Sequence, residues 1–535
     1  MLRAISSTRK ALPLVNVASS YSTEAPRKST KLWGGRFSRD TDESIKEWTE
    51  SVTIDRHIVK EDIWGSMAHN IMLGRQGIVP LEKSKQIVST LNDIYDNFES
   101  GTWDLGYEQE DVHMNVEKEV INRIGMDVGG RMHTCRSRND QVVLDSKLYA
   151  RKRLLELRGK VIQAVDAILE RSQGYTEKEM ISYTHFQHAQ PVSIAFWLSH
   201  YAAILLRDLS RLKHAYDTTD ENPLGAGAIS GTSFPIDRQL TTNLLGFQAV
   251  HLHTMDATSS RDFMWESLTS GAMISNTLSR LAEEFILYSS WEYSALTMDD
   301  GFAMGSSMMP QKKNPGALEL MRGRCARMTG FATAGFVLTK GLPSAYNRDF
   351  HEDKELLIES LGLINRIVQV VPPLIKSVII NEKRMSELTF KNFGNATELA
   401  NYLVSKHNVP FRESHHVVGS LVGKLVRSGK DFSAFDVCKQ HLVDSGISAP
   451  DAELQAILDP REVMLSYNSL GGTGNKSVKH MLQVMAEQSN KYKQQLKEDN
   501  DRVNNAFKTT KTIASTISGV KSVEDLEKLI KSSKQ

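Results

Sequence analysis

The chain of 535 residues is 40% hydrophobic and 24% charged, which is typical of a soluble globular protein with two or three domains. Its 65 Lys and Arg residues balance 64 Asp and Glu residues to a formal net charge of +1. This balance disfavours a protein that binds nucleic acids or anionic membrane surfaces. The 3 cysteines lack the spacing of zinc ligands, which favours a reducing compartment and predicts no metal site. No uninterrupted apolar run is long enough to cross a bilayer, so we expect a soluble protein.

The first 30 residues are basic and rich in Ser and Thr, and Glu24 is their single acidic residue. Spaced Arg and Lys among Leu, Ala and Val at positions 2–17 are typical of an amphipathic import helix. Residues 1–30 are therefore predicted to be a cleaved organellar transit peptide. The mitochondrial matrix is the favoured destination, and a plastid or the cytoplasm is the alternative. A tail without function is the simpler interpretation of the same composition.

Five long segments carry apolar residues at three- and four-residue spacing and are rich in good helix formers. They span residues 141–173, 192–217, 260–290, 315–341 and 352–380. The pattern predicts an all-α protein with three mainly helical domains at residues 31–138, 139–382 and 383–489, the second formed by a bundle of the five long helices. Pro372 and Pro373 are expected to break the fifth helix. Residues 490–535 are Lys-rich and polar, and we expect a solvated tail there.

The run GSSMMPQKKNP at residues 305–315 is the strongest functional signal in the chain. Asn314 followed by Pro315 predicts the N-cap and the first residue of a helix. The positive end of that helix, with Lys312 and Lys313 just before it, favours binding of a small carboxylate or phosphate. A Lys-rich surface turn is the alternative when the run is taken alone.

This run resembles the signature loop of the fumarase/aspartase superfamily, whose members release fumarate from a succinyl-containing substrate. Other segments resemble the argininosuccinate lyase family: LWGGRF at 32–37, EDVHMN at 110–115, HTCRSRNDQ at 133–141, YTHFQHAQP at 183–191 and LPSAYNRD at 342–349. The resemblance continues in the same order along most of the chain and leaves out only its two ends.

The resemblance implies a carbon–nitrogen lyase, more narrowly an amidine lyase, that reversibly splits argininosuccinate into L-arginine and fumarate in arginine biosynthesis or a urea cycle. It implies no metal and no organic cofactor. It also implies a homotetramer in which four chains share the central bundle and each active site takes segments from three chains. Members of the family are often cytosolic, so the N-terminal leader departs from the commoner pattern.

The resemblance also assigns catalytic roles. Ser306 is the implied base, and His185, oriented by Glu319, is its acid or relay partner. A free alcohol is far too weak a base, so we expect loop amides and Lys312 to stabilise the ionised form of Ser306. Lys312 and Asn314 are expected to stabilise the negative charge that develops on the substrate.

A larger set of residues matches the family positions that bind the substrate: Ser51, His113, Arg138, Asn139, Thr184, Asn314, Tyr346, His351 and Lys354. Two positions depart from the family pattern. Cys135 stands where Gly or Ala is common, and its thiol is expected to crowd the loop or to make the site oxidisable. His351 stands where Gln is common, and its protonation would add pH dependence to the arginine end of the site.

Three alternatives are open at this point. A sibling lyase, such as an adenylosuccinate lyase or a fumarase, would share the signature loop. A structural, crystallin-like paralogue would share the fold and have weak activity or none. A regulatory binding module is disfavoured because it would not need a base, an acid and an anion-stabilising set together.

Overall fold

The computed structural model describes residues 41–533 and divides the chain into two compact units, one ending at Glu50 and one beginning at Ser51. In the first unit, the described residues form one short helix, α1 (Glu43–Thr49), which is capped by the side chain of Asp42. The predicted transit peptide at residues 1–30 lies outside the described residues.

The first part of the second unit is helical, as predicted. It contains α2 (Val52–Asp55), α3 (Val59–Arg75), α4 (Leu81–Ser100), α5 (Val112–Ile124) and α6 (Met126–Gly129). The middle part contains α7 (Arg138–Gln173), α8 (Ile194–Thr219), α9 (Arg238–Leu245), α10 (Thr254–Ser259), α11 (Asp262–Tyr288), α12 (Gly316–Thr339), α13 (His351–Gln369) and α14 (Val371–Ser377). All five long helices predicted from the sequence are confirmed.

The five long helices form a closed bundle. In the order α7, α8, α11, α12, α13, each helix packs on the next, and α13 packs back on α7. Helix α7 begins three residues before its predicted start because Ser137 and Asp140 form a capping box around its first turn. Helix α13 ends at Gln369 and α14 begins at Val371, which confirms the predicted break at Pro372 and Pro373. Proline has no amide to continue the hydrogen bonds of α13, but it fits the first turn of a new helix.

Short strands interrupt the helices, which the helical pattern did not predict. The largest pair is an antiparallel hairpin of β1 (Glu179–Thr184) and β2 (Gln187–Ser193). Three further two-stranded pairs join β3 (Glu221–Asn222) with β4 (Ala249–Val250), β5 (Leu296–Thr297) with β8 (Ile379–Ile380), and β6 (Met304–Gly305) with β7 (Lys313–Asn314).

The C-terminal part has a small hydrophobic core of its own, which includes Leu399, Leu403, Leu421 and Leu454. Its helices are α15 (Glu382–Phe390), α16 (Ala396–His407), α17 (Phe411–Arg427), α18 (Phe435–Asp444), α19 (Asp451–Leu458) and α20 (Pro460–Ser466). Two more helices follow, α21 (Asn475–Thr516) and α22 (Val523–Ser532).

The expected solvated tail is wrong for the described residues beyond position 490. Helix α21 packs on α7, α8, α9, α3 and α4, and Ile513, Ala514 and Ile517 are at most 1% exposed. These apolar residues recur at three- and four-residue spacing among lysines and amides, so the polar composition conceals an amphipathic face.

One stretch, Arg348–Ser377, contains an 18-residue window apolar enough to meet a membrane-span criterion, with a mean hydropathy of 1.3. This window lies in α13 and α14, and 61% of it is buried inside the protein. Burial of this kind is typical of a core helix in a bundle.

Candidate active site

The signature run is the connection of a small hairpin. Strands β6 and β7 pair Met304 with Asn314 and Gly305 with Lys313, and residues 306–312 connect them. The Ser306 hydroxyl oxygen accepts hydrogen bonds from the backbone amides of Met308, at 3.3 Å, and Met309, at 3.0 Å. Amide donors aimed at a hydroxyl oxygen favour its ionised form, which is the environment that a serine base requires.

The start of α12 differs from the prediction in one detail. Pro315 occupies the N-cap position, and Asn314 lies in β7 with its backbone in the strand pair. The predicted Asn314 cap is therefore wrong, because the hairpin continues up to the residue before the proline. The helix N-terminus still lies at the base of the hairpin, where its free amides favour an anion.

The two lysines of the run are in different environments. Lys313 forms an ion pair with Asp300 at 2.6 Å. Lys312 is exposed, and only its backbone amide is bonded, to the Met309 carbonyl oxygen, among the residues between 41 and 533. Glu319 is exposed in the first turn of α12. Lys312 is therefore the lysine whose ammonium group is available to an anionic substrate.

His185 lies at the tip of the β1–β2 hairpin. It forms a two-residue turn with Phe186, and both have positive φ, 53° and 56°. Two positive φ values are the requirement of a type I′ turn, which usually takes Gly or Asn. Thr184 and His185 are exposed, and Phe186 is 72% exposed. Across the described part of a single chain, His185 makes no ion pair with Glu319, so their pairing stays a prediction.

Ser51 and Lys354 meet in a buried polar cluster with an acidic residue that the sequence reasoning missed. The Lys354 ammonium donates to the Ser51 hydroxyl at 3.1 Å and to the Asp55 carboxylate at 2.5 Å. Burial opposes the charge on Lys354, but Asp55 outweighs it and holds the pKa of Lys354 above its ordinary value. The cluster therefore holds a permanent cation between α2 and α13.

Arg138 and Asn139 lie in the first turn of α7. The Arg138 guanidinium donates to the Asp111 carboxylate at 2.8 Å, and Asp111 also caps α5 through the Met114 amide at 2.8 Å. The Asn139 amide nitrogen donates to the Ala228 carbonyl oxygen at 3.2 Å. Both side chains are partly exposed, as side chains that contact a substrate must be.

Tyr346 and His351 lie near the N-terminus of α13, and both are half-buried. Burial raises the pKa of Tyr346. Burial, together with the charges of Lys354 and Arg348, lowers the pKa of His351. His351 is therefore a neutral imidazole at neutral pH, which has one donor and one acceptor, as the family glutamine also offers.

His113 is buried, with only 3% of its surface exposed. Its Nδ1 lies 2.8 Å from Asp62 Oδ1 and 3.6 Å from Asp145 Oδ2. Burial and the charge of Asp62 raise the pKa of Asp145, which disfavours a second negative charge beside His113. A side chain held in this way is suited to supporting the site, and a direct contact between His113 and the substrate stays a prediction.

The ligand atoms of Asp62, His113 and Asp145 lie within 4.8 Å of one another, a grouping that is compatible with a divalent cation. The sequence predicts no such grouping, because the three residues are far apart in the chain. The Arg136 guanidinium acts on both carboxylates and already offsets their charge. Arg136 itself donates to Ser66 at 3.0 Å.

Cys135 has a positive φ of 65°, so the loop before α7 uses a conformation that favours glycine at the position where the family commonly has Gly or Ala. Burial raises the pKa of the Cys135 thiol. A raised pKa lowers the thiolate fraction and slows oxidation, and oxidation of the partly buried thiol stays a prediction.

One chain brings together only some of the predicted residues. Ser51 and Lys354 contact each other, whereas Ser306 and His185 lie on separate exposed hairpins. A cavity of about 680 Å³ lies between α3, α7 and α21, where Glu61, Trp64 and Phe507 contribute to its lining. None of the predicted site residues lines this cavity.

Comparisons with known proteins agree with the geometry of the fold. A family model described as a lyase matches residues 35–330, and a model of the argininosuccinate lyase C-terminal region matches residues 393–464. The argininosuccinate lyase of Symbiobacterium thermophilum is 41% identical over 458 residues, covering 86% of this chain and 98% of the relative. That of Streptococcus pneumoniae strain Hungary19A-6 is 39% identical over 457 residues, covering 85% and 98%.

Solved structures show the same fold at lower identity. An EDDS lyase in complex with formate has a TM-score of 0.78 and 24% identity, covering 90% of this chain and 94% of that chain. A class II fumarase from Schistosoma mansoni has a TM-score of 0.64 and 16% identity, covering 78% and 92%.

The helical bundle and the family match define the class of this protein: it is a lyase of the fumarase/aspartase superfamily. Within that class, the chain belongs to the argininosuccinate lyase family of carbon–nitrogen lyases.

Proposed function

We propose that the chain catalyses the reversible elimination of argininosuccinate to L-arginine and fumarate, with Ser306 as the base. One observation carries this assignment: in the signature hairpin of a chain that belongs to this family, the Ser306 hydroxyl oxygen accepts hydrogen bonds from two loop amides. Those donors and the Lys312 ammonium favour an ionised Ser306.

The elimination moves one proton from carbon to nitrogen. Ser306 removes the proton from the carbon next to a carboxylate, and the electron pair forms a doubly charged aci-carboxylate. Lys312 and Asn314 stabilise this charge, and stabilisation of developing charge is usually the largest catalytic contribution. The carbon–nitrogen bond then breaks, His185 supplies or relays the proton to the leaving guanidinium nitrogen, and Glu319 orients the imidazole.

The remaining predicted residues bind the polar ends of the substrate. Arg138, which Asp111 orients, offers the fork geometry that suits a carboxylate. Lys354 and Ser51 supply a second polar group next to Asp55, and Thr184 and Asn139 supply further hydrogen bonds. We assign Tyr346 to the polar ends of the substrate and the neutral His351 to the arginine end.

We infer a homotetramer in which each active site takes the His185 hairpin, the first turn of α7 and the signature hairpin from three different chains. The exposure of the two hairpins in one chain supports this inference. Helix α12 supports it as well, because Leu320, Phe336 and Val337 are between 49% and 59% exposed, and exposed apolar patches of this kind mark interaction surfaces.

Fumarate release tests the function. Purified protein is mixed with argininosuccinate, and the ultraviolet absorbance of fumarate is followed for the unaltered chain, Ser306→Ala and Ser307→Ala. We expect Ser306→Ala to lower kcat by at least about 10²-fold, because it removes the base. Ser307 is the matched control because it is the adjacent exposed serine of the same loop, and its variant should keep the activity of the unaltered chain.

Three results would contradict the assignment in whole or in part. An unaltered chain without activity on argininosuccinate would leave a structural paralogue, and activity on another succinyl substrate would leave a sibling lyase. A fully active Ser306→Ala variant would remove Ser306 from the role of base and keep the reaction.

We further propose that residues 1–30 direct the chain to the mitochondrial matrix, on the ground of their basic, acid-poor composition. Residues 1–30 fused to a fluorescent protein should localise to mitochondria. A matched fusion with Arg3, Arg9 and Lys10 changed to Gln should stay in the cytoplasm. Cytoplasmic or plastid fluorescence of the first fusion would contradict the proposal.

A further inference from the structure

We propose that Asp140 is a positioning residue, whose carboxylate clamps the loop at residues 222–228 onto the first turn of α7 and thereby fixes the substrate-binding side chains there. The inference rests on the proposed function, in which Arg138 and Asn139 bind argininosuccinate. None of the catalytic roles assigned above uses Asp140.

The clamp is a set of three backbone hydrogen bonds to one buried carboxylate. Oδ2 of Asp140 accepts the amides of Gly225, at 3.0 Å, and Gly227, at 2.9 Å. Oδ1 accepts the Ser137 amide at 3.1 Å. The residue is 0% exposed, so no water replaces these contacts, and hydrogen bonds to an ionised acceptor are the stronger kind. One side chain therefore joins the loop to the helix start.

The loop backbone is shaped to present these amides. Gly225 has a φ of +93°, and a Cβ atom there would lie 2.8 Å from the Ile236 side chain and 2.9 Å from that of Arg238. Gly227 has a φ of +60°, and its Cβ atom would lie 3.0 Å from the Gly231 carbonyl oxygen. A side chain at either position would push the loop away from Asp140, so the hydrogen bonds to the Asp140 carboxylate depend on both glycines.

A cation holds the opposite side of the same loop. The Arg238 guanidinium donates from Nε to the Leu224 carbonyl oxygen at 2.9 Å, and from Nη2 to the carbonyl oxygens of His251, at 2.9 Å, and Asn222, at 3.2 Å. The loop amides thus donate to a carboxylate, and the loop carbonyl oxygens accept from a guanidinium group. Because Arg238 anchors the loop to the body of the protein, Asp140 transmits that fixed position to α7.

The loop reaches the substrate-binding residues directly. The Asn139 amide nitrogen donates to Ala228, the residue after Gly227, at 3.2 Å. Arg138 precedes Asn139 and is held from the other side by Asp111 at 2.8 Å. Without the clamp, the Ala228 carbonyl oxygen that holds Asn139 would move with the loop. The bound substrate would then lose the fixed position of Asn139, while the reacting groups on the two hairpins stay in place.

The test compares Asp140→Asn and Asp140→Ala with Ser137→Ala in the full-length protein. Ser137→Ala is the matched control, because it removes the hydroxyl that caps α7 through the Asn139 amide at 3.2 Å and leaves Asp140 in place. We expect Asp140→Ala to raise the KM for argininosuccinate by about tenfold or more, the size expected when charge-assisted hydrogen bonds are lost. The kcat should fall less than the KM rises, and Asp140→Asn should show a smaller effect in the same direction.

Hydrogen exchange supplies a readout that does not depend on activity. The amides of Gly225 and Gly227 should exchange faster in both Asp140 variants and at the original rate in Ser137→Ala. Unchanged protection of these amides in both Asp140 variants would overturn the clamp, as would an unchanged KM in both. Faster exchange in a chain that lacks argininosuccinate activity would support the clamp and overturn the proposed reaction.

Discussion

Cys135 has a backbone conformation that is strained for any residue with a Cβ atom. Its φ of 65° lies in the left-handed region, where a Cβ atom costs about 1–2 kcal/mol. The residue lies in the loop that leads to Arg138, so the strain is located beside a predicted substrate contact. Strain of this kind is typical of functional loops, whose conformation the surrounding structure enforces.

We predict that Cys135→Gly stabilises the protein by about 1 kcal/mol relative to Cys135→Ala, because only glycine lacks the strained Cβ atom. Both variants lose the thiol, so their difference reports the backbone alone. The measurement is chemical unfolding of the two variants at equal protein concentration. Equal stability would show that the loop relaxes to accept the Cβ atom.

His351 should not make the reaction pH-dependent near neutrality. Burial and the charges of Lys354 and Arg348 lower its pKa, so the ring is neutral at pH 7 and above. We predict that His351→Gln has the same pH profile of kcat/KM as the unaltered chain between about pH 6.5 and 8, since histidine ordinarily titrates near 6.5.

The lowered pKa of His351 also predicts how the stability of the protein changes with pH. A histidine whose pKa is lower in the folded state costs stability as the pH falls through its unfolded value, because the unfolded chain binds the proton more readily. His351→Gln should therefore lose less stability than the unaltered chain between about pH 7 and 5. In the pH profile of kcat/KM, by contrast, an inflection near pH 6.5 that vanishes in the variant would show that His351 titrates in the active enzyme.

At the scale of elements, the β1–β2 hairpin presents His185 at the cost of local strain. His185 and Phe186 both adopt positive φ although neither is Gly, Asn or Asp, the residues that usually occupy such turns. The hairpin was not predicted because Pro191 and the mixed polar pattern of this segment conceal the alternation of strands. The strain and the exposure of Phe186 are the structural signals of a functional tip.

Helix α21 is a second element whose role depends on packing. Ile513 is 0% exposed, and we predict that Ile513→Ala lowers the free energy of unfolding by about 2–4 kcal/mol through the cavity that it creates. Lys508→Ala on the exposed face of the same helix is the control and should change stability little. A variant Ile513→Ala as stable as Lys508→Ala would mean that α21 is detached in solution.

At the scale of the whole molecule, the active site should be shared between chains. We predict that two inactive variants, Ser306→Ala and His185→Ala, recover activity when they are unfolded together and refolded. Random assembly from equal amounts leaves about one quarter of the sites with both native residues if these come from different chains. The measurement is fumarate release by the mixture beside each variant refolded alone.

The result distinguishes shared from self-contained sites. A site built within one chain would recover nothing, since every chain in the mixture carries one defect. An active monomer isolated by dilution would contradict the shared site as well.

The family and the long helices were predictable from the sequence, but much of the polar network around the site was not. The signature run and the quoted segments identify Ser306, His185 and Lys312 by their order in the chain. Asp55, which binds Lys354, carries no comparable signal because it stands outside those segments. Asp111 and Asp140 do lie within them, yet only the fold shows that one orients Arg138 and the other holds a glycine loop.

The sequence by itself determined the elements whose causes are local: the five long helices and the break before Pro372. Apolar periodicity, caps and proline geometry act within a few residues of the chain, so they can be recognised without a fold. The tertiary structure decided what depends on distant residues: the packing of α21, the partners of His113 and the clamp at Asp140. These contacts join segments that are dozens to hundreds of residues apart, and the free energy of such contacts depends on burial, which exists only after the chain has folded.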